Sequence, residues 1–396
     1  MPQRFVYMDY NATTPLRPEV KDAMVHALDI YANASSMHES GRRARAEIEK
    51  ARASVAAIIG AGDASSVYFT SGGSESNNTV FMTMYDLGRK APARRKIITT
   101  AIEHPCVMNS ATYLAEEGFP VVFLPVDNYG RVDMDAYRKE LTPDTLLVSV
   151  MAANNEIGTI EDIKTIASMA KSVGALVHTD ATQAIGKIPV SVKEWGVDYL
   201  TMSCHKIYGP KGIGALYVRQ RAPIVPLVRG GHQENGVRAG TYNNLGIIGF
   251  GVAAELALRD LPEFSSRLRS LRAMLKDGLV AAIPHVKVNG HPTEVLPNTL
   301  NLSFPGAEGE SILLSLDFEG IQVSTGSACA SGSLEPSHVL LATGVGPELA
   351  HGSIRFSLGK YTTEEEVRYV IEKLPPIIAR LRRMSTVPAT EVAAVC

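Results

Sequence analysis

Short runs of apolar and β-branched residues alternate with helix-period stretches along the first two-thirds of the chain. Ser66–Thr70, Lys96–Thr100, Val121–Leu124, Thr145–Met151, Ala175–Thr179, Tyr199–Ser203 and Gly214–Val218 read as strands. Helical patterns separate most of them, for example 75–87 and 161–172. Nearly continuous apolar strands between helices predict a sheet covered on both faces, mostly parallel and doubly wound. Leu245–Leu261 is a long apolar-periodic stretch that ends at Pro262, and behind it Phe264–Ile283 reads as a charged amphipathic helix. Strands near Thr299–Phe304 and Ser353–Leu358 and a helix at Thr363–Met384 follow. The pattern divides the chain into a large α/β domain over 15–261 and a smaller α+β domain made of 1–14 and 262–385. A tail over 386–396 is expected to fray.

Composition narrows the class. At 396 residues the chain exceeds one hydrophobic core. Lys and Arg number 39 and Asp and Glu 41, a net charge of −2, so there is no electrostatic reason to bind nucleic acid or an anionic membrane. Cys106, Cys204, Cys329 and Cys396 are scattered, with no zinc spacing and too few for a disulfide framework. A reducing cytoplasm fits that usage. No apolar run approaches the ~18 residues of a membrane span. A soluble enzyme is the expected class.

In open α/β sheets ligands bind beyond the carboxyl ends of the strands. Asp180 and Gln183 follow the strand ending at Thr179, and Cys204-His205-Lys206 follow the strand ending at Ser203. An aldehyde cofactor needs such an acid and lysine. The amine forms a Schiff base with pyridoxal 5'-phosphate (PLP), and the carboxylate keeps the pyridine nitrogen protonated. The bland alternative makes Asp180 a helix cap and Lys206 a surface lysine. Gly72-Gly73-Ser74 joins a strand to a helix, where backbone N–H groups and the helix dipole favour a phosphate. Ser203 and His205 supply further donors. His104 also stands at a strand's carboxyl end, before Pro105, where an imidazole stacks on a ring or moves protons.

Cys329 lies in Gly326-Ser327-Ala328-Cys329-Ala330-Ser331-Gly332-Ser333. Small residues alone bury little apolar surface and are costly to order, so an exposed, mobile loop is expected. A reactive thiol fits that setting. A structural or bystander role fits the other three cysteines.

These segments, with Asp9–Thr14, Met151–Gly158, Gly230–Thr241, Ser324–Ser331, Leu334–Val339 and Ala350–Tyr361, resemble the NifS/IscS-type cysteine desulfurases. The resemblance spans about residues 7–385. It implies the aspartate-aminotransferase-like, fold type I architecture of PLP-dependent transferases. It implies Lys206 as the Schiff-base lysine, Asp180 at the pyridine nitrogen, Gln183 at the ring oxygen and His104 stacked on the ring. Gly73, Ser74, Ser203 and His205 would hold the phosphate, with Thr241 reaching it from the second subunit of a homodimer. Asn155 and Arg355 would bind the carboxylate of L-cysteine; the alternative for Arg355 is a surface ion pair. Cys329 would take the sulfur as a persulfide, leave L-alanine, and pass the sulfur to an iron–sulfur scaffold protein; it is also the candidate ligand of a transferred cluster. No resident metal is expected. The family's Gly-Asn-Pro-Ser-Ser segment appears here as Ala32-Asn33-Ala34-Ser35-Ser36, which puts that loop's geometry in question. A selenocysteine lyase or aminotransferase of the same fold would keep Lys206 and Asp180 without needing Cys329. A partner protein that has lost the chemistry would keep only the fold.

Overall fold

The computed structural model describes residues 5–325 and 335–385. Cys329 and the tail over 386–396, on which expectations were placed, lie outside the described residues. The strands in chain order are β1 (Val6–Tyr7), β2 (Val67–Thr70), β3 (Lys96–Thr100), β4 (Val121–Leu124), β5 (Thr145–Ser149), β6 (Leu176–Asp180), β7 (Tyr199–Ser203), β8 (Gly214–Val218), β9 (Lys287–Asn289), β10 (Thr299–Ser303), β11 (Ile321–Gln322) and β12 (Ser353–Ser357).

Seven of them form one sheet in the order β2-β8-β7-β6-β5-β3-β4. The pairs from β7 to β4 are parallel, and only β8 runs against its neighbours β2 and β7. Both faces are covered, and the pleat shows why the strands are apolar throughout. Ile97, Leu147 and Tyr199 enter one packed cluster. The next residue along each strand, Ile98, Val148 and Leu200, enters the opposite one. The doubly wound, mostly parallel sheet inferred from the alternation is therefore present.

A second core is built on the antiparallel sheet β12-β10-β9 and the parallel pair β1–β11. Val6 and Met8 from the start of the chain pack into it beside Leu300, Phe356 and Ile378.

The expected break at Pro262 is absent. One helix runs from Asn244 to Ala282 with Pro262 inside it. Proline removes a hydrogen bond to the carbonyl four residues earlier. That residue is Leu258, which is exposed, so water can satisfy the freed oxygen. The first half of the helix packs into the large core through Ile247, Phe250 and Ala254. The second half packs into the smaller core through Leu268, Leu271, Leu275 and Leu279. Among the described residues no helix is long and apolar enough to cross a membrane.

Candidate active site

Parallel strands deliver their carboxyl ends to one edge of the sheet. At that edge a cleft of about 360 Å³ is lined by Gly73 and Ser74 after β2, His104 after β3, Asn155 after β5, Asp180 and Gln183 at β6, and Ser203, His205 and Lys206 at β7. The volume suits a small-molecule site. Arg355 of β12 lines the same cleft from the smaller core. The structure thus brings together every described residue proposed from sequence except Thr241.

Lys206 ends a short 3-10 turn, Cys204–Lys206. Its Nζ donates to the backbone carbonyls of Asn11 (2.5 Å) and Ala12 (2.7 Å). The turn is held from behind. Thr14 Oγ1 donates to the His205 carbonyl and accepts from the Tyr208 N–H. Tyr208 adopts φ 66°, a left-handed conformation costly for a side chain of its size. Gly209 follows because a Cβ there would stand 2.0 Å from Cys204 Sγ.

Asp180 is 7% exposed. Its Oδ2 accepts from Asn77 Nδ2 at 2.7 Å and its Oδ1 from the Thr182 N–H at 2.9 Å. Both hydrogen bonds fix the orientation of the carboxylate. Asn77 lies one helical turn beyond Gly73, so the helix Gly73–Lys90 that starts at the cleft also orients the acid.

Gly73 is the first residue of that helix. A Cβ on Gly73 would come within 3.2 Å of Thr182 Oγ1 and 3.8 Å of Ser203 Cβ, so glycine keeps the cradle open. Among the described residues Thr182 Oγ1 is buried without a hydrogen-bond partner, yet Thr182 lines the cleft. An orphaned hydroxyl beside a helix N-terminus is the setting an anion completes. His205 is pushed down to about 4, first by burial and then by Lys206, Lys211 and Lys187. A phosphate would offset that positive field. The residues present fit PLP: an amine, an oriented carboxylate, a donor amide and an anion cradle share one cleft.

His104 caps the helix Pro105–Glu116. Burial pushes its imidazole below the usual histidine range; Lys206 and His338 act in the same direction and Asp180 opposes them. His338 Nε2 donates to the Glu103 carbonyl at 3.0 Å. Arg355 is 2% exposed, so it is a buried side chain rather than the surface residue of the alternative reading. It bonds Asp9 at 2.8 Å and the Asn155 carbonyl at 3.1 Å. Thr241 is exposed and lines separate clefts with Tyr242 and Asn243, away from Lys206.

Sequence reasoning passed over several cleft residues. Cys106, placed among bystanders, lines the cleft with Sγ 2.9 Å from His104 Nδ1 and 3.1 Å from Asn77 Nδ2. Burial, with Asp180 adding, pushes its thiol up to about 12, so it stands in the cleft as an unreactive thiol. Asn77 carried one usable signal, its spacing of four from Gly73 on a helix. Thr182 and Asn11 carried none, because their roles arise from contacts across the chain.

The residues between 6 and 370 match the model of the aminotransferase class-V family. The chain belongs to that family, whose desulfurase branch uses PLP. It is 50% identical over 385 residues to the cysteine desulfurase IscS of Dictyoglomus turgidum, covering 97% of both chains. It is 46% identical over 381 residues to the cysteine desulfurase NifS of Azotobacter vinelandii, covering 96% of this chain and 94% of that one. A solved NifS-like protein superposes with TM-score 0.89 at 40% identity, covering 95% of this chain and all of the other. Within the class-V family the chain is therefore of the IscS/NifS cysteine desulfurase type.

Proposed function

We propose that this protein takes sulfur from L-cysteine, releases L-alanine and holds the sulfur as a persulfide on Cys329 for iron–sulfur cluster assembly. The observation that carries the reading is the convergence of Lys206, Asp180, Gln183 and His104 on one cleft that Arg355 enters from the smaller core. An aminotransferase or lyase reading has no comparable use for the all-small segment around Cys329.

When bound, PLP supplies an aldehyde for Lys206 and a ring that accepts electrons from the substrate carbon. Asp180, fixed by Asn77 and Thr182, would hold a proton at the ring nitrogen. Gln183 would bond the ring oxygen and His104 would stack on the ring. Gly73, Ser74, Ser203 and His205 would hold the phosphate, with Thr182 as a further donor. Arg355 and Asn155 orient the substrate carboxylate, Arg355 through its planar fork. Lys206 removes the proton from the substrate α-carbon. The Cys329 thiolate attacks the substrate sulfur; the carbon–sulfur bond breaks, a sulfur–sulfur bond forms, and the carbon skeleton leaves as alanine after protonation. Cysteine plus one enzyme thiol becomes alanine plus one persulfide, so no outside oxidant is required.

A homodimer is part of this reading. Thr241, exposed and remote from its own cleft, is available to a second subunit's phosphate site. The acceptor is a scaffold protein, and the place of action is the cytoplasm, which the scattered cysteines support. The division into 15–261 against 1–14 with 262–385 belongs to the same reading, supported by Val6 and Met8 packing into the smaller core.

The test is incubation of the PLP-loaded protein with L-cysteine, followed by alanine assay and mass spectrometry. One added sulfur atom on the Cys329 peptide, with alanine formed, is expected. Sulfur on Cys106 or Cys204 instead would overturn the assignment.

A further inference from the structure

Lys187 is a buried lysine, 4% exposed, to which the chemistry above gives no task. It lies four residues beyond Gln183 and is not part of the cleft wall that holds Gln183 and Lys206. Its Nζ donates to Gln183 Oε1 at 2.5 Å and to Asn11 Oδ1 at 3.2 Å. Both acceptors are identified by their own partners. Asn11 Nδ2 donates to the Asn155 carbonyl and to Thr299 Oγ1, and Asn298 Nδ2 donates to Asn11 Oδ1. Gln183 Nε2 donates to the Asn11 carbonyl at 3.0 Å. Turning the Gln183 amide over would set its oxygen against that carbonyl and its N–H groups against the lysine. Two contacts, one at each end of the amide, thus forbid the flip.

An amide nitrogen carries two protons. One is taken by the Asn11 carbonyl. The amide nitrogen, with its other proton, is what Gln183 can offer the cleft, because its oxygen is turned to Lys187. Gln183 is therefore a donor there. Burial drives Lys187 well below the usual lysine range, and Lys206 and Arg355 add to the effect.

We propose that Lys187 is a positioning residue that locks the Gln183 amide nitrogen toward the cleft, so that the cofactor's ring oxygen is met as an anion and the Lys206 linkage loses its proton at lower pH. A donor at that oxygen stabilises the form in which its negative charge is greatest, the deprotonated linkage. The inference rests on the roles given above to Gln183 and Lys206. The other charged or titratable groups around Lys187 are few. Lys206, Arg355 and His205 face it from the cleft side. Tyr10, Arg17, Tyr208, Asp260 and Lys360 share with it a small cavity on the far side. None of the latter five bonds Gln183, so among the described charged groups Lys187 is the one that holds the amide, with the Asn11 carbonyl at its other end.

The test is a pH titration of the visible absorbance of PLP-loaded, full-length protein. It compares wild type, Lys187→Met, Gln183→Leu and the double variant. Lys187→Met is expected to raise the titration midpoint by roughly one pH unit, the scale of one hydrogen bond to a charged group. Gln183→Leu is expected to raise it by a similar amount, and the double variant no further. Lys187→Gln, which keeps an N–H donor for Gln183, is expected to return the midpoint toward wild type. An unchanged midpoint in Lys187→Met overturns the inference while leaving the desulfurase reading intact. So does a Lys187→Met shift of full size in the Gln183→Leu background, which would mean that Lys187 acts by charge alone. A wild-type protein with no visible band after loading overturns both the reading and the inference. Should Lys187→Met fail to fold, a neutron crystal structure of loaded wild type, in which amide nitrogen and oxygen are told apart, decides. Gln183 oxygen within hydrogen-bond reach of Lys187 Nζ supports the lock, and that oxygen turned to the ring overturns it.

Discussion

Asn77 donates a hydrogen bond of 2.7 Å to Asp180 across 103 residues of sequence, joining the helix that starts at the anion cradle to the acid at the end of β6. One helix therefore sets two distances in the cleft at once, that of the cradle and that of the carboxylate. Asn77 is fully buried, so Asp180 has no water to replace this donor from that side.

Asn77→Leu is expected to keep the fold and lower the rate of alanine formation by roughly 10–100-fold, the worth of a hydrogen bond to a buried charge. Steady-state kinetics with L-cysteine, alongside a thermal melt, separates the loss of rate from a loss of stability.

Arg355→Lys keeps the charge and discards the planar fork. The lysine ammonium lacks the planar edge with which the guanidinium, already bonded to Asp9 and the Asn155 carbonyl, would take a substrate carboxylate. KM for L-cysteine should rise roughly tenfold or more, with a smaller change in kcat. An unchanged KM would remove Arg355 from the substrate site.

Glu103 offers a test through pH. It is 1% exposed; Oε1 accepts from the Met151 N–H and Thr100 Oγ1, and among the described residues Oε2 has no partner. Burial pushes its carboxyl up to about 8 from the ordinary 4.5, so the folded protein binds a proton there that the unfolded chain releases. Its stabilising contribution is full below about 4.5 and is lost as pH rises through about 8. Glu103→Gln should therefore gain stability relative to wild type between pH 6 and pH 9. Thermal melts at fixed protein and cofactor concentration read the gain, and a constant difference at both pH values would contradict it.

Cys106 stands in the cleft but its thiol is held at about 12. The thiolate is the nucleophile, so Cys106 should not substitute for Cys329. In Cys329→Ala protein treated with L-cysteine, mass spectrometry should find no sulfur added to the Cys106 peptide. Stoichiometric labelling there would show that burial does not silence this thiol.

The large sheet was legible because its strands are buried on both faces and so appear as unbroken apolar runs; six of the seven predicted runs end within a residue of the strand seen. The anchor lysine and acid were legible for the same reason, since chemistry sits where those runs stop. Pro262 misled because a proline signal says which hydrogen bond is lost, not whether water can replace it. The helix continues because the carbonyl concerned, Leu258, is exposed. Asn11, Thr182 and Lys187 were hidden for another reason. Asn11 draws its partners from positions as far apart as Lys187, Asn298 and Ser357, and no local pattern encodes such a hub. Lys187 in sequence is one basic residue among 39.

The helix Asn244–Ala282 belongs to both cores, and this bears on how the cleft can breathe. Arg355 rides on the smaller core and Lys206 on the larger, so any change in their separation strains a single rod about 58 Å long at 1.5 Å per residue. A rod bends most cheaply where a rung of its ladder is missing. In this protein that rung lies at Pro262, so opening and closing over substrate would be a flexing of one beam about a built-in notch rather than a swing on a loose tether.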